Sequence, residues 1–227
     1  MKRTMIAMIG LLLVAASRMV VAQAPATMPA TAPSDGPVDQ TTPQGTLILL
    51  SRTMQSGDVV GARNLLHATT PDELILAGLF VQAVAINSKF RSAVTKSFGD
   101  GVADNYVGSA SDEIEAEKSI RASKVDIQND TASVLSRAGE DPVKLVRVEG
   151  MWKLSMSAIG AEEMASTQKE LKLRLGVLAG IADDVAASKF KTVQEMENAM
   201  RTRMASAILE ATNMAPTTAP AAPADGK

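Results

Sequence analysis

The stretch PVKLVRVEGMWKLSMS, residues 142–157, decides the fold that this sequence predicts. At its centre, Glu149 and Gly150 indicate a two-residue turn, because glycine readily adopts the positive φ that a tight hairpin needs. The turn sets a register with four cross-strand pairs: Val148 with Met151, Arg147 with Trp152, Leu145 with Leu154, and Val143 with Met156. The stretch is therefore predicted to form a β-hairpin.

The two faces of this hairpin differ because side chains alternate along a strand. One face carries the apolar residues Val143, Leu145, Trp152, Leu154 and Met156. The opposite face carries Lys144, Lys153 and Ser155, with Val146 and Val148 beside them. Arg147 lies opposite Trp152, where a cation–π contact adds about 0.5–1 kcal/mol. The hairpin thus has a single apolar face that is expected to pack on the core.

A second hairpin comes earlier in the chain. Its apolar face is formed by Val125, Ile127, Ala132 and Val134, and its turn is marked by Asn129 and Asp130. The two hairpins together predict four antiparallel strands that follow one another as a meander with one apolar face. Helical patterns lie on both sides of this region, so the predicted fold class is α+β.

A long helix is predicted upstream of the strands, over residues 71–98. Thr70 is the expected N-cap, Glu73 closes a capping box, and Gly99 ends the helix. Its first half is apolar on nearly all sides, which is typical of a buried helix or of a membrane span. Polar residues interrupt it too often for a span, namely Glu73, Gln82, Asn87 and Lys89. We therefore interpret it as the central core helix.

Shorter helices are predicted around this core helix. Two of them, at residues 46–55 and 58–67, precede it and are separated by Ser56-Gly57. Ser111 is the expected N-cap of a third, which ends at Ala122. Residues 100–110, between the core helix and this third short helix, are rich in glycine and aspartate and contain the only tyrosine of the sequence, Tyr106.

Two further helices follow the strands and are predicted to form a helical hairpin over residues 161–212. The first has apolar residues near a heptad spacing, at positions 164, 171, 175, 178, 182 and 185. The second opens with a capping box, Thr192 to Glu195, and carries a stripe that includes Met196, Met200 and Met204. The apolar seam has three alternatives, since it can close on itself, on the sheet domain or on a second subunit.

The composition excludes several classes of site. The chain has no Cys and one His, so cysteine–histidine metal sites and a cysteine nucleophile are excluded, and we expect neither metal nor cofactor. Removing residues 1–22 takes away three of the 23 basic residues and none of the 25 acidic ones. The remaining chain has a formal charge of about −5, which makes nucleic acid an improbable partner.

The N-terminus has the pattern of a secretory signal peptide. Lys2 and Arg3 precede an apolar run from Met5 to Ala16, and a small-residue cleavage site ends at Ala22. The run is shorter than the ~20 residues of a membrane span, although an uncleaved anchor is the alternative. We therefore expect export to the periplasm, cell envelope or medium, with no stable membrane span after cleavage.

Two segments rich in Pro, Ala and Thr flank the body of the chain, at residues 23–43 and 213–227. Such segments bury too little apolar surface to offset chain entropy, so both are predicted to be disordered spacers. A sugar-bearing or wall-threading stalk is the alternative. The predicted α+β domain therefore covers residues 44–160, between the first spacer and the helical hairpin.

The arrangement resembles the nuclear transport factor two-like superfamily, which includes ketosteroid isomerases. The resemblance is carried by the short helices around Ser56-Gly57-Asp58, the long buried helix, and a meander ending in GMWKLSM. It covers about residues 45–158 and implies a curved sheet wrapped around the N-terminal helices, with a pocket at the open end of a cone. The family's catalytic set, an acidic base with a tyrosine and a protonated acid, has no residue-by-residue match here. The resemblance therefore implies a scaffold and little chemistry.

Three residues are the candidates for lining that pocket: Tyr106, Arg147 and Trp152. For Arg147 and Trp152, a cross-strand pair that closes the hairpin is the favoured interpretation. His67 is a candidate general base, but its predicted place at a helix C-terminus favours a structural role. The acidic residues 112–117 and the pair Asp183-Asp184 lack the spacing of a calcium loop or a di-metal site.

Two functions follow as hypotheses. The first is an exported, non-catalytic binding or assembly module of the cell envelope, which contacts a protein partner or a second copy through its C-terminal helices. The alternative is a small-molecule binder or minor enzyme, of the isomerase, cyclase or hydrolase type, that uses the cone pocket. A pocket of a few hundred Å³ with convergent polar groups favours the alternative, whereas a cone filled by apolar side chains favours the first.

Overall fold

The computed structural model describes residues 38–135 and 141–213. The predicted signal peptide and most of both predicted spacers lie outside these residues. The described part begins with the helices α1 (Pro43–Ser56) and α2 (Val59–Asn64), the short strand β1 (Leu66–His67), and the helices α3 (Pro71–Phe98), α4 (Asp100–Val107) and α5 (Ala110–Arg121). The strands β2 (Lys124–Gln128), β3 (Thr131–Leu135), β4 (Val143–Val148) and β5 (Met151–Ser155) follow, and then a 3₁₀ turn (Met156–Ala158) and the helices α6 (Ala161–Ala186) and α7 (Val193–Asn213).

The fold is α+β, as predicted, and its sheet has five strands in the order β1-β5-β4-β3-β2. Strands β2 to β5 pair antiparallel with their neighbours in sequence, whereas β1 pairs parallel to β5. The prediction of four strands missed β1, because residues 58–67 were assigned entirely to a helix. That helix stops at Asn64, and the next residues reach β5, where the Leu154 N–H donates to the Leu65 carbonyl.

The hairpin register is confirmed at three of its four predicted pairs: Leu145 with Leu154, Arg147 with Trp152, and Val148 with Met151. The fourth pair, Val143 with Met156, does not form. Met156 instead begins the 3₁₀ turn, while Val143 pairs with Val134 on the other side of β4. Both turn residues have positive φ, 53° at Glu149 and 81° at Gly150, as a two-residue hairpin turn with the strands' own twist requires.

The central helix α3 has the predicted ends. The Thr70 side chain accepts from the Glu73 backbone N–H, and the Glu73 carboxylate accepts from the Thr70 N–H in return. By length and composition α3 is also long and apolar enough to cross a membrane. However, 56% of its most apolar window is buried inside the protein, among side chains of the other helices and the sheet. The core-helix interpretation accounts for this burial.

The predicted N-cap of α5 is wrong by two residues. Ser109, not Ser111, caps the helix, because its hydroxyl accepts from the Asp112 N–H while the Asp112 carboxylate accepts from the Ser109 N–H. The Gly- and Asp-rich segment before it forms the helix α4, which brings Tyr106 toward α7.

The apolar seam of the C-terminal helices closes on α3 and on the sheet domain. Met164, Leu171 and Leu175 of α6 lie in the same buried cluster as Trp152 and the rest of the inner sheet face. A second cluster joins the end of α3 to α4, α6 and α7, with Phe90, Val94, Ala103, Ile181, Val185 and Met196 at its centre. The boundary predicted at residue 160 thus separates elements that share one core.

Candidate ligand groove on the outer sheet face

The inner face of the sheet is occupied by tightly packed side chains. Trp152 is 2% exposed and Leu145 is 1% exposed, and Val134 and Met156 are buried with them. The residues that cover this face come mainly from α1 and α3, and include Leu47, Leu50, Leu76, Phe80 and Val84. Leu, Met, Phe and Trp side chains therefore fill the space between the sheet and these helices.

The outer face of the sheet is polar, because the strands alternate and their other set of side chains lies there. Asp126 pairs with Ser133, Ser133 pairs with Lys144, and at the other edge His67 pairs with Ser155. Continuing the β4–β5 register by one step brings Lys144 level with Ser155. The row across the five strands thus reads Asp126, Ser133, Lys144, Ser155 and His67, so that Ser155 lies between the lysine and the histidine.

The part of this row from Ser133 to His67 lines a groove with a volume of about 360 Å³. Its walls and floor are formed by His67, Thr69, Thr131, Ala132, Ser133, Lys144, Leu145, Val146, Ser155 and Ser157. Five of these side chains carry hydroxyls, two can carry positive charge, and none is a carboxylate. The groove therefore offers hydrogen-bond donors and a cation, with Val146 as the apolar side chain on the same sheet face.

Some of these polar groups already have partners inside the protein. The Thr69 hydroxyl donates to Glu73 Oε2 at 3.0 Å, and the Thr131 hydroxyl donates to the Gln128 carbonyl at 2.8 Å. The hydroxyls of Ser155 and Ser157 lie 2.7 Å apart and share one hydrogen bond. Within residues 38–135 and 141–213, the side chains of Lys144 and Ser133 have no hydrogen bond or ion pair. These two side chains are consequently available to a ligand.

A buried carboxylate lies behind the His67 end of the groove but does not line it. Glu73 is 6% exposed, and the backbone N–H of Thr69 is the main group that holds its pKa below the usual range. The Thr69 hydroxyl, the Thr70 N–H and the charge of His67 lower the pKa further, against the effect of burial. Glu73 is thus kept ionised by the cap of α3, and its role is structural.

The structure corrects the expectation for His67. This residue was predicted at the end of a helix, but it lies in β1, opposite Ser155. Among the described residues no hydrogen bond joins the imidazole to the Ser155 hydroxyl, which is shared with Ser157. A base activates a serine nucleophile through such a hydrogen bond, and the described residues show none between these two side chains.

Of the three predicted pocket residues, Arg147 and Trp152 lie together. The Arg147 guanidinium carbon is 4.8 Å from the centre of the Trp152 ring, which confirms the predicted cation–π contact. Arg147 also donates to the Asn129 carbonyl at 3.1 Å and approaches Asp130 at 3.4 Å. These contacts join the two hairpin turns, and neither Arg147 nor Trp152 lines the outer groove.

Tyr106 lies apart from both, in the second buried cluster. Its hydroxyl donates to Glu197 at 2.5 Å, and its ring packs edge-on against Phe90 with 5.9 Å between ring centres. Burial raises the pKa of Tyr106 well above its usual range, and the bond to the Glu197 carboxylate raises it further. The hydroxyl is therefore protonated at neutral pH and fastens α4 to α7.

The other acidic candidates are paired with bases. Glu117 binds Arg52 and Arg121, and Asp184 binds Lys189 and Arg203. In the part of the chain that the structure describes, no group of three or more potential ligands is placed to hold a metal ion.

The sequence did not predict the groove, although the hairpin register placed two of its lining residues correctly. The hairpin register assigned Lys144 and Ser155 to the outer face, and both lie there. On that face the Ser155 side chain is only 7% exposed, since β1 and Ser157 cover it. His67 and Thr69 reach the groove because β1 pairs parallel to β5. A strand of two residues is too short to show a pattern in the sequence.

Comparison with family models, curated proteins and solved structures found no match to this chain.

Proposed function

We propose that this chain is a non-catalytic binding or assembly module that is exported to the cell envelope. The observation that carries the proposal is the contrast between the two sheet faces. The inner face, which lines the cone whose open end the resemblance implies as a pocket, is filled by side chains such as Trp152 and Leu145. The outer face leaves a polar groove in which Lys144 has no ion pair with any residue that the structure describes.

The nuclear transport factor two-like fold is part of this proposal. It is supported by the long capped helix α3, which packs against the inner face of the antiparallel meander β2 to β5. The proposal includes a curved meander on the N-terminal helices, followed by a helical hairpin of α6 and α7. A scaffold of this type carries its function in the surface that it presents rather than in the fold itself.

Export is proposed from the charged and apolar pattern of residues 1–22. Cleavage after Ala22 would release a chain that begins at Gln23, and the sequence has no cysteine to which a lipid could be attached. Mass spectrometry of the native protein should find this N-terminus in the periplasm, the envelope fraction or the medium. A full-length chain embedded in the membrane would contradict the proposal.

A second surface suited to a partner lies on α7. Ile208 is 53% exposed and Leu209 is 64% exposed, on the half of the helix that extends beyond the second buried cluster. Exposed apolar side chains that lie next to one another are common at protein–protein interfaces. We therefore include a protein partner or a second copy, held through the C-terminal helices, in the proposed function.

A pull-down from the envelope fraction tests this function, with residues 23–227 as bait. Two variant baits, Lys144→Glu and Ile208→Glu, separate the groove from the surface of α7. Both side chains are exposed, so the variants should fold as the parent does. A partner that the parent captures and one variant loses would identify the binding surface. Capture that neither variant weakens, or turnover of a substrate by the purified chain, would contradict a binding role at these surfaces.

The alternative is a small-molecule binder, and the volume of the groove favours it. About 360 Å³ falls near the lower end of the range for small-molecule sites, which is roughly 300–1,000 Å³. A screen of small envelope metabolites by thermal shift, with the Lys144→Glu variant as control, distinguishes the two. Stabilisation of the parent alone by a small molecule would favour this alternative.

A further inference from the structure

We propose that the groove on the outer sheet face binds a small oxyanion, a carboxylate or a phosphate, with Lys144 as the principal cation. This inference rests on the proposed binding function and names the chemistry of the ligand. The groove is a different place from the inner cone, and its residues come from β1, β3, β4, β5 and the segments that follow β1 and β5.

The charge of the groove favours an anion. Lys144 has no ion pair among the described residues, and Lys153 lies on the same sheet face, opposite Val146. Asp126 is the acid nearest in the strand register, but it lies two strands from Lys144, which is about 10 Å at normal strand spacing. Glu73 is enclosed by the Thr69 and Thr70 amides. Among the described residues, the groove thus has an unpaired lysine and no lining carboxylate, although the net charge of the chain is negative.

The hydroxyls add donors beside this cation. Ser133 pairs with Lys144 on the neighbouring strand and has no partner of its own within the described ranges. Ser155 and Ser157 share one hydrogen bond, which uses one of their two hydroxyl protons. The other proton is left to donate to a ligand. An oxyanion accepts several such bonds at once, and charge-assisted hydrogen bonds are about twice as strong as neutral ones.

A neutral sugar fits this pattern less well than an oxyanion. A sugar hydroxyl both donates and accepts, so sugar sites supply acceptors as well as donors. Lys144 has three donor protons and no acceptor, so the side-chain acceptors in the groove are its neutral hydroxyls. Its lining residues include no Trp, Tyr or Phe, and the one ring among them is the imidazole of His67. The carboxylate and phosphate groups share the chemistry that the groove provides, and separate probes distinguish them.

A titration of the mature chain, residues 23–227, tests this inference by two-dimensional amide NMR. The probes are acetate, inorganic phosphate and neutral N-acetylglucosamine, each at constant ionic strength. We expect saturable shifts at Ser133, Lys144 and Ser155 with acetate or phosphate, up to about 50 mM ligand, and none with the sugar. Saturation by one anion alone would identify the ligand as a carboxylate or as a phosphate.

Two lysine variants make the test specific. Lys144→Gln removes the cation in the groove, whereas Lys153→Gln removes a charge from the same sheet face without changing a lining residue. We expect affinity to fall at least about tenfold in Lys144→Gln, because a charge-assisted bond is lost, and less than about twofold in Lys153→Gln. Lys144→Arg retains the charge and should retain binding, which keeps the test valid if Lys144→Gln misfolds.

Equal losses of anion affinity in Lys144→Gln and Lys153→Gln would overturn the inference, since they would show that the general positive charge of the sheet face attracts the anion. Absence of saturation with both anions, or an equal response to the sugar, would also overturn it. The proposed binding function fails separately, if the parent bait captures no partner and binds no small molecule. Partner capture without anion binding would overturn this inference alone and leave the binding module standing.

Discussion

Replacing Trp152 with alanine should destabilise the protein by about 3–5 kcal/mol, the usual cost of truncating a buried aromatic side chain. The indole is 2% exposed and lies in the cluster that joins α1, α3 and α6 to the sheet, so its removal leaves a cavity that several rigid elements surround. The backbone contacts of Trp152 with Gln40 do not depend on its side chain and should survive the change.

The cation–π contact of Arg147 with Trp152 contributes a smaller amount to the free energy of unfolding, and this amount can be measured separately. The Arg147 side chain is 40% exposed, so its contact with the ring should be worth about 0.5–1 kcal/mol. Arg147→Ala alone also removes the bonds to Asn129 and Asp130, and it therefore overstates this contact. A double-mutant cycle with Trp152→Ala isolates the coupling between the two side chains.

Urea denaturation of the parent, the two single variants and the double variant measures both quantities. Trp152→Phe is the matched control, since it keeps an aromatic ring and should cost less than Trp152→Ala. A loss below about 1 kcal/mol in Trp152→Ala would refute the assignment of the ring to the core. Additive single changes would refute the energetic contact with Arg147.

Three further predictions concern the ends of the fold and its charges. Glu149→Asn should raise the free energy of unfolding by about 0.5 kcal/mol, because asparagine tolerates the positive φ of the turn better than glutamate; an unchanged or lower denaturation midpoint would contradict this. A fragment that ends at Gly160 exposes the core face that α6 covers, so its thermal midpoint and solubility should fall below those of residues 44–212, and equal values would show that α6 and α7 are an independent module. The pKa of Asp184 is depressed, chiefly by the bond from Lys189 and then by Arg203, so its stabilising effect is present above its unfolded pKa of about 3.9 and is lost as the pH falls through the native value. Thermal melts between about pH 3 and pH 7 should therefore show a smaller loss on acidification in Asp184→Asn than in the parent, and parallel curves would exclude this carboxylate as a source of acid sensitivity.

The sequence by itself determined the features that depend on neighbouring residues. The Glu149-Gly150 turn fixes a register over the next few pairs because the side-chain period of a strand is two. The capping box of Thr70 and Glu73 is formed within one helical turn, so its residues identify the start of α3 without knowledge of the rest. The apolar positions 164, 171 and 175 likewise predicted a buried stripe on α6, although they did not say what covers it.

Only the tertiary structure decided the features that join distant segments. Leu66 and His67 are too short a run to show a strand pattern, and their pairing with Leu154 and Ser155 depends on how α2 delivers the chain to the sheet edge. The stripe of α6 was equally compatible with a second subunit until its packing on α3 assigned it. The groove depends on both kinds of information: alternation places Lys144 on the outer face, but His67 reaches it across 88 positions of sequence, from 67 to 155. Such long-range pairing depends on the packing of the whole chain, which no local pattern encodes.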